Sequence, residues 1–243
     1  MSDATLAVTE LHAGYDGALV LRGVSMRAHL DEIVSIIGPN GAGKSTFLKA
    51  VAGIVRPTSG SVVFAGADVT GLRPDRLVRR GLGFVPQLDN VFPTLTIAEN
   101  LHVGAQALRR EDRADSVGAV LAQFPLLGER RRQRAGTLSG GQRKLLALGR
   151  ALVGRPSLLL LDEPSAGLSP QATDLVFGEL EGIRDRGIGI VMVEQNARRA
   201  LALSSRGYVL DMGRNAHEGT GADLLDDPRV AELYLGSLTS APG

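Results

Sequence analysis

The 243-residue chain contains no cysteine and no tryptophan, and aromatic residues make up only 4% of it. Without a thiol there is no disulfide and no thiolate metal site, so stability must come from a packed core, which a chain of this length can bury. The lack of cysteine also suits a reducing compartment. Charge excess is missing too: 27 Lys and Arg against 26 Asp and Glu leave a net charge of +1, so no overall field draws the chain to nucleic acid, and no nucleic-acid partner is expected. The densest basic stretch, ERRRQRAG at 129–136, crowds Arg130, Arg131, Arg132 and Arg134 together and reads as a solvated face, as charge runs usually do. Long apolar runs are absent as well. SLLLLD at 157–162 and IGIVMV at 188–193 fall far short of the roughly 18 residues of a membrane span. The opening MSDATLAVTE has neither a basic start nor an apolar stretch, so no signal peptide is expected.

What is present is a series of short apolar runs bounded by turn residues. EIVSIIG (32–38), LGFVPQ (82–87), SLLLLDE (157–163) and GIVMVEQ (189–195) predict strands. Helical patterns follow most of them: STFLKAVAG, PQATDLVFGELEGIRDRG and ARRALALSS. Strand and helix in alternation predict an α/β fold with a mostly parallel sheet. The first forty residues, with LAVTELHAGY and VSMRAHLDE, alternate like antiparallel strands, and SVVFAGADV (61–69) continues that character, which predicts an N-terminal antiparallel β subdomain. From residue 97 to about 135 the helical patterns IAENLHVGAQAL and DRADSVGAVLAQF predict a helical insert between two core strands. No linker divides the chain, so residues 1–243 are expected to form one domain; only the final LTSAPG looks frayed.

GPNGAGKST (38–46) follows an apolar strand and opens a helix, the context a phosphate-binding P-loop requires. Its glycines let backbone amides turn toward phosphates, the helix N-terminus adds partial positive charge, Lys44 reaches the terminal phosphates and Ser45 would hold Mg²⁺. Gly38, Asn40, Gly41, Ala42, Gly43 and Thr46 complete the expected cradle. In SLLLLDE, a carboxylate ending a buried strand beside that loop can hold Mg²⁺ through Asp162, while Glu163 can polarise an attacking water. In TLSGGQRKLLALGRAL (137–152), two poor helix formers, Gly140 and Gly141, open a helical pattern behind Ser139, as if something approached that end too closely for side chains.

GPNGAGKST, VPQ, LSGGQ and LLLLDEP in that order resemble the nucleotide-binding subunit of an ABC transporter, from about residue 6 to residue 235. The resemblance makes the chain a P-loop ABC ATPase cassette, with residues 97–150 the helical subdomain that carries the signature motif. It implies two such domains head to tail, ATP held between the P-loop of one and the signature residues Ser139, Gly140, Gly141 and Gln142 of the other. It places Tyr15 against adenine, Gln87 on Mg²⁺ and the attacking water, and the transmembrane permease against residues around Val91 to Leu101. Gln195 stands where most members have a histidine, and an amide cannot take up a proton near neutral pH. Ser169 stands where an aspartate usually closes the following loop.

VEQNA, RGYVLDMGR, LYLG, FPTLTIAENL and RAGTLSGGQ resemble one branch, the second ATPase subunit of branched-chain amino-acid importers. That implies permease subunits, a second ATPase subunit in a homo- or heterodimer, a solute-binding protein acting through the permease, and a peripheral position on the cytoplasmic face of the inner membrane. Relatives that carry urea or other amides, and soluble ABC ATPases outside transport, remain alternatives.

Overall fold

The computed structural model describes residues 5–88 and 90–234. The chain runs β1 (Leu6–Tyr15), β2 (Ala18–Ala28), β3 (Ile33–Ile37), α1 (Lys44–Val51), β4 (Pro57–Phe64), β5 (Ala67–Asp68), α2 (Pro74–Arg79) and β6 (Leu82–Val85). It continues through α3 (Ile97–Gly104), α4 (Arg113–Gln123), α5 (Pro125–Glu129) and α6 (Gly140–Leu152) before returning to β7 (Leu158–Asp162). Then come α7 (Pro170–Arg184), β8 (Gly189–Val193), α8 (Ala197–Leu203), β9 (Arg206–Asp211), β10 (Arg214–Gly219), α9 (Gly221–Asp226) and α10 (Pro228–Tyr234). The segment LTSAPG lies outside the described residues.

The continuous apolar runs become strands because both their faces are covered. β3, β7 and β8 are buried at every position, as a parallel sheet sandwiched between layers demands. The six-stranded sheet has the order β10-β9-β3-β8-β7-β6, parallel from β9 to β6 with β10 antiparallel at the edge. Alternate residues of each strand feed opposite cores. Ile33, Ile37, Leu159, Leu161, Ile190 and Met192 pack with Leu145 and Leu148 of α6 and Val176 and Leu180 of α7. Val34, Ile36, Leu158, Leu160, Val191 and Val193 pack instead with Phe47 and Leu48 of α1 and with Leu6, Val8 and Leu21 of the N-terminal strands. Each such fully buried side chain stabilises the fold by about 1.5–3 kcal/mol.

The N-terminal strands form the second sheet, antiparallel and ordered β2-β1-β4-β5. The antiparallel character expected of SVVFAGADV takes the form of a hairpin, in which Ala65 (φ 49°) and Gly66 (φ 77°) turn the chain between β4 and β5. One expected boundary differs. The strand expected at VSMRAHLDE begins earlier, at Ala18, and stops at Ala28.

The segment between β6 and β7 is closed at its base. Ile97 N–H donates to Gln133 O (3.0 Å), Ala98 N–H to Arg131 O (3.0 Å), Ala135 N–H to Leu95 O (2.9 Å) and Gly136 N–H to Pro93 O (2.9 Å). Thr96 and Glu99 cap α3 reciprocally, side chain to backbone in both directions. The expected helix at 97–108 is α-helical only to Gly104 and tightens into a 3₁₀ turn at 105–107. The arginine-rich stretch is solvated, with Arg130, Arg131, Arg132 and Arg134 all exposed. Among the described residues, no helix is long and apolar enough to cross a membrane.

Candidate functional site

The site is assembled where β3, β7 and β8 end on the same side of the sheet, the edge at which open α/β sheets bind ligands. Residues 38–43 turn the chain from β3 into α1. Gly41 (φ 84°) and Gly43 (φ 98°) hold left-handed conformations, and such a turn makes consecutive amides converge on one concavity. No side chain caps α1, so the amides of its first turn remain available to an anion. The loop is braced from behind by Gly213 N–H donating to Ala42 O at 3.1 Å. Lys44 lies across it, its ammonium donating to Gly38 O (2.8 Å) and Pro39 O (2.9 Å). Burial lowers the Lys44 pKa, and the carboxylates of Glu163 and Asp162 oppose that shift.

Two short side-chain pairs sit beside the lysine. Ser45 Oγ donates to Asp162 Oδ1 at 2.8 Å, and Gln87 Nε2 donates to Glu163 Oε2 at 2.7 Å. Asp162 is buried as the last residue of β7, whereas Glu163 begins the turn beyond it with φ 49°, a strained value for a side-chain-bearing residue. Its N–H is fixed by donation to Val193 O at 2.9 Å. Hydroxyl, carboxylate and amide oxygens are hard donors that suit Mg²⁺. Among the described residues no group of three or more His, Cys, Asp or Glu side chains is placed to hold a metal. A metal at Ser45 and Asp162 therefore needs further oxygens from a phosphate and water, which is how Mg²⁺ is usually held.

Ser139 is the N-cap of α6: its hydroxyl accepts from Gln142 N–H at 3.4 Å, while Gln142 Oε1 accepts from Ser139 N–H at 3.0 Å. The Ser139 hydroxyl proton is thus left for another acceptor. Part of the reason for the glycine pair lies within the chain: a Cβ on Gly141 would stand 3.0 Å from Cβ of Ala172 on α7. Ser169 caps α7 by accepting from Ala172 N–H at 3.3 Å.

The ABC transporter family pattern matches residues 21–166. The chain belongs to the ABC transporter family. It is 42% identical to the high-affinity branched-chain amino acid transport ATP-binding protein BraG of Pseudomonas aeruginosa, over 95% of this chain and 99% of that one. It is 35% identical to the lipopolysaccharide export system ATP-binding protein LptB of Escherichia coli, over 96% of this chain and 98% of that one. Among solved structures, a nucleotide-free ATP-binding cassette from an ABC transporter superposes with a TM-score of 0.86 at 28% identity, covering 97% of this chain and 100% of the other. A dimeric post-hydrolysis cassette bound to ADP and Pi superposes with a TM-score of 0.76 at 26% identity, covering 88% of this chain and 98% of the other. The α/β fold with its antiparallel β subdomain is that of these cassettes.

Within this ABC ATPase, Lys44, Ser45, Gln87, Asp162 and Glu163 come together in one cluster. Thr46 is buried on α1, and Asn40 is exposed in the loop. Tyr15 (46% exposed) ends β1, and Gln195 is exposed just past β8; among the described residues neither side chain hydrogen-bonds to the cluster. Of the stretch Val91 to Leu101, Ile97 and Leu101 are fully buried in the core, whereas Phe92 stays exposed beneath the Arg150 guanidinium, 5.2 Å from its ring centre.

Two residues of the site are not evident from the sequence motifs. Glu194, buried one residue before Gln195, accepts from Ser165 N–H and Ser165 Oγ (both 2.8 Å), which ties the loop after Glu163 to the end of β8. Burial pushes its pKa up, against the lowering effect of those hydrogen bonds. Lys144 of α6 is buried and donates to Gln87 O (3.1 Å) and Glu163 O (3.2 Å). Nothing in the local pattern marks Lys144 as buried, since a cation at that point ordinarily reads as solvated.

Proposed function

We propose that this ABC ATPase binds and hydrolyses ATP to drive an importer of branched-chain amino acids. The observation that carries the reading is the Lys44 cluster, in which the paired side chains Ser45–Asp162 and Gln87–Glu163 meet at the open end of α1. Residues 38–46 cradle the phosphates, and Lys44 exchanges its two carbonyl acceptors for phosphate oxygens. Ser45, Asp162 and Gln87 would hold Mg²⁺, which when bound would offset negative charge on the nucleotide's phosphate oxygens. Glu163 accepts a proton from the attacking water, and Gln87 orients that water. Tyr15 stacks on adenine.

Ser139, Gly140, Gly141 and Gln142 present the N-terminus of α6 to the γ-phosphate held by a second ATPase subunit. The dimeric cassette with ADP and Pi supports such an arrangement. Gln195, just past β8 beside this chain's own Lys44 cluster, donates an amide hydrogen bond to the γ-phosphate bound there without changing its own protonation. The 42% identity to a branched-chain amino acid transport protein over nearly the whole chain supports the cargo class. The chain then sits on the cytoplasmic face of the membrane through permease subunits, which receive solute from a binding protein.

The test is reconstitution with its permease pair in lipid vesicles. ATPase activity stimulated by the permeases, together with ATP-dependent leucine uptake from the binding protein, is expected. Movement of lipopolysaccharide instead would favour the export reading raised by the 35% identical relative, and uptake of urea or amides would reassign the cargo. An activity indifferent to permeases and responsive to nucleic acid or ribosomes would overturn the transport reading.

A further inference from the structure

Lys144 stands out because its two hydrogen bonds go to the main chain of the two residues whose side chains hold each other. Its ammonium donates to the carbonyls of Gln87 and Glu163, and the Gln87 amide donates to the Glu163 carboxylate. Among the described residues it makes no ion pair within 4.0 Å, although Glu194, Glu163 and Asp162 lie close enough to favour its charge. A buried ammonium with carbonyl acceptors in place of a carboxylate is an expensive arrangement, and here it performs a specific mechanical task. Glu163 occupies a left-handed backbone conformation, with φ 49°. Such a conformation persists only when the surroundings over-determine it. Its N–H is tied to β8 through Val193 O, and its C=O is tied to α6 through Lys144.

We propose that Lys144 is the positioning residue that fixes the Glu163 carboxylate and the Gln87 amide in working geometry and links both to the N-terminus of α6. This rests on the reading of Glu163 as the proton acceptor. The link is short. Lys144 follows Gln142 by two residues, so about 3 Å of helix rise separates the residues that face a second subunit's nucleotide from the ammonium that holds this chain's own carboxylate. A shift of α6 on engaging that nucleotide is delivered directly to Glu163 and to Gln87.

The test compares ATP hydrolysis by purified full-length wild type, Lys144→Met, Lys144→Arg and Glu163→Gln. Lys144→Met removes two charge-assisted hydrogen bonds and is expected to lower kcat by about ten- to a hundred-fold, with KM for ATP within about two-fold of wild type. Lys144→Arg keeps a donor to the carbonyls and is expected to recover most of the loss. Where the methionine variant does not give a cooperative melt, Lys144→Gln replaces it, with the same split expected. Wild-type kcat in the neutral variant, a KM that rises in step with the fall in kcat, or no recovery by arginine overturns the proposal. Glu163→Gln separates the two ideas: if it hydrolyses ATP at the wild-type rate, the functional reading itself fails, whereas an inactive Glu163→Gln beside a fully active Lys144→Met sinks the positioning role alone.

Discussion

Replacing Glu163 by glutamine changes one atom of the site and separates its chemical from its structural part. The carboxylate accepts the Gln87 amide at 2.7 Å, and a glutamine carbonyl can accept the same bond. Exchanging a charged acceptor for a neutral one weakens that bond by about 1 kcal/mol. For a chain of this size such a change lowers Tm by roughly 2–4 °C. The catalytic loss is of another order. Removing a positioned general base costs about 10²- to 10⁴-fold in rate, or about 2.7–5.4 kcal/mol of barrier. Loss of the negative charge also removes the first of the two carboxylates that counter the burial of Lys44, so the pKa of that lysine falls further. Phosphate release measured on stoichiometric protein should therefore collapse while the melting temperature barely moves, and size-exclusion in ATP should show a retained dimer. Phosphate release within about three-fold of wild type would refute the general-base argument. A fall in Tm of more than about 10 °C would show instead that the carboxylate chiefly supports the fold.

Gly38→Ala would bring a Cβ to 2.0 Å from Leu210 O, a main-chain atom that cannot step aside; a loss of about 3 kcal/mol or more in urea unfolding, together with loss of nucleotide binding, is expected. Gly141→Ala places a methyl 3.0 Å from Ala172 Cβ and should cost about 1 kcal/mol, recovered when Ala172→Gly is added, as a double-mutant cycle in denaturant would show. Ser139→Ala removes the α6 cap, for about 1 kcal/mol of stability, and should weaken ATP-dependent dimerisation in light scattering. Burial raises the Tyr208 pKa from 10.0 to about 12, so the neutral phenol is the form the fold favours. Its contribution is complete below about pH 10, declines as the unfolded chain ionises, and is gone once pH passes about 12; alkaline unfolding should lose that slope in Tyr208→Phe.

The sequence is most legible where one physical constraint dominates. β3, β7 and β8 are covered on both faces, so their runs are continuously apolar and bounded by turns, and the loop from β3 into α1 is readable because phosphate binding demands its glycines and lysine together. β10 escapes notice because RNAHEG is an edge strand with little to bury, and the pattern that would mark it resides in its partner β9. β2 is blurred at its start by Gly23 and by exposed Leu19, where one-sided burial gives only a weak alternation. Lys144 and Glu194 are invisible for a different reason. Their burial depends on segments far away in sequence converging on them, and local periodicity carries no record of that convergence. The Gly140–Gly141 pair looks from the sequence like a surface cleared for a ligand, yet Gly141 also answers to Ala172 in the same chain.

The paired entry and exit of the helical segment, with residues 93–98 hydrogen-bonded to residues 131–136, have an evolutionary consequence. A detour whose two ends are already clasped can lengthen, shorten or change its outer face at only a logarithmic entropic cost, and none of that alters the register of the sheet. Such a design lets the outer face of this segment diverge freely while the cluster at Lys44, Asp162 and Glu163 stays untouched.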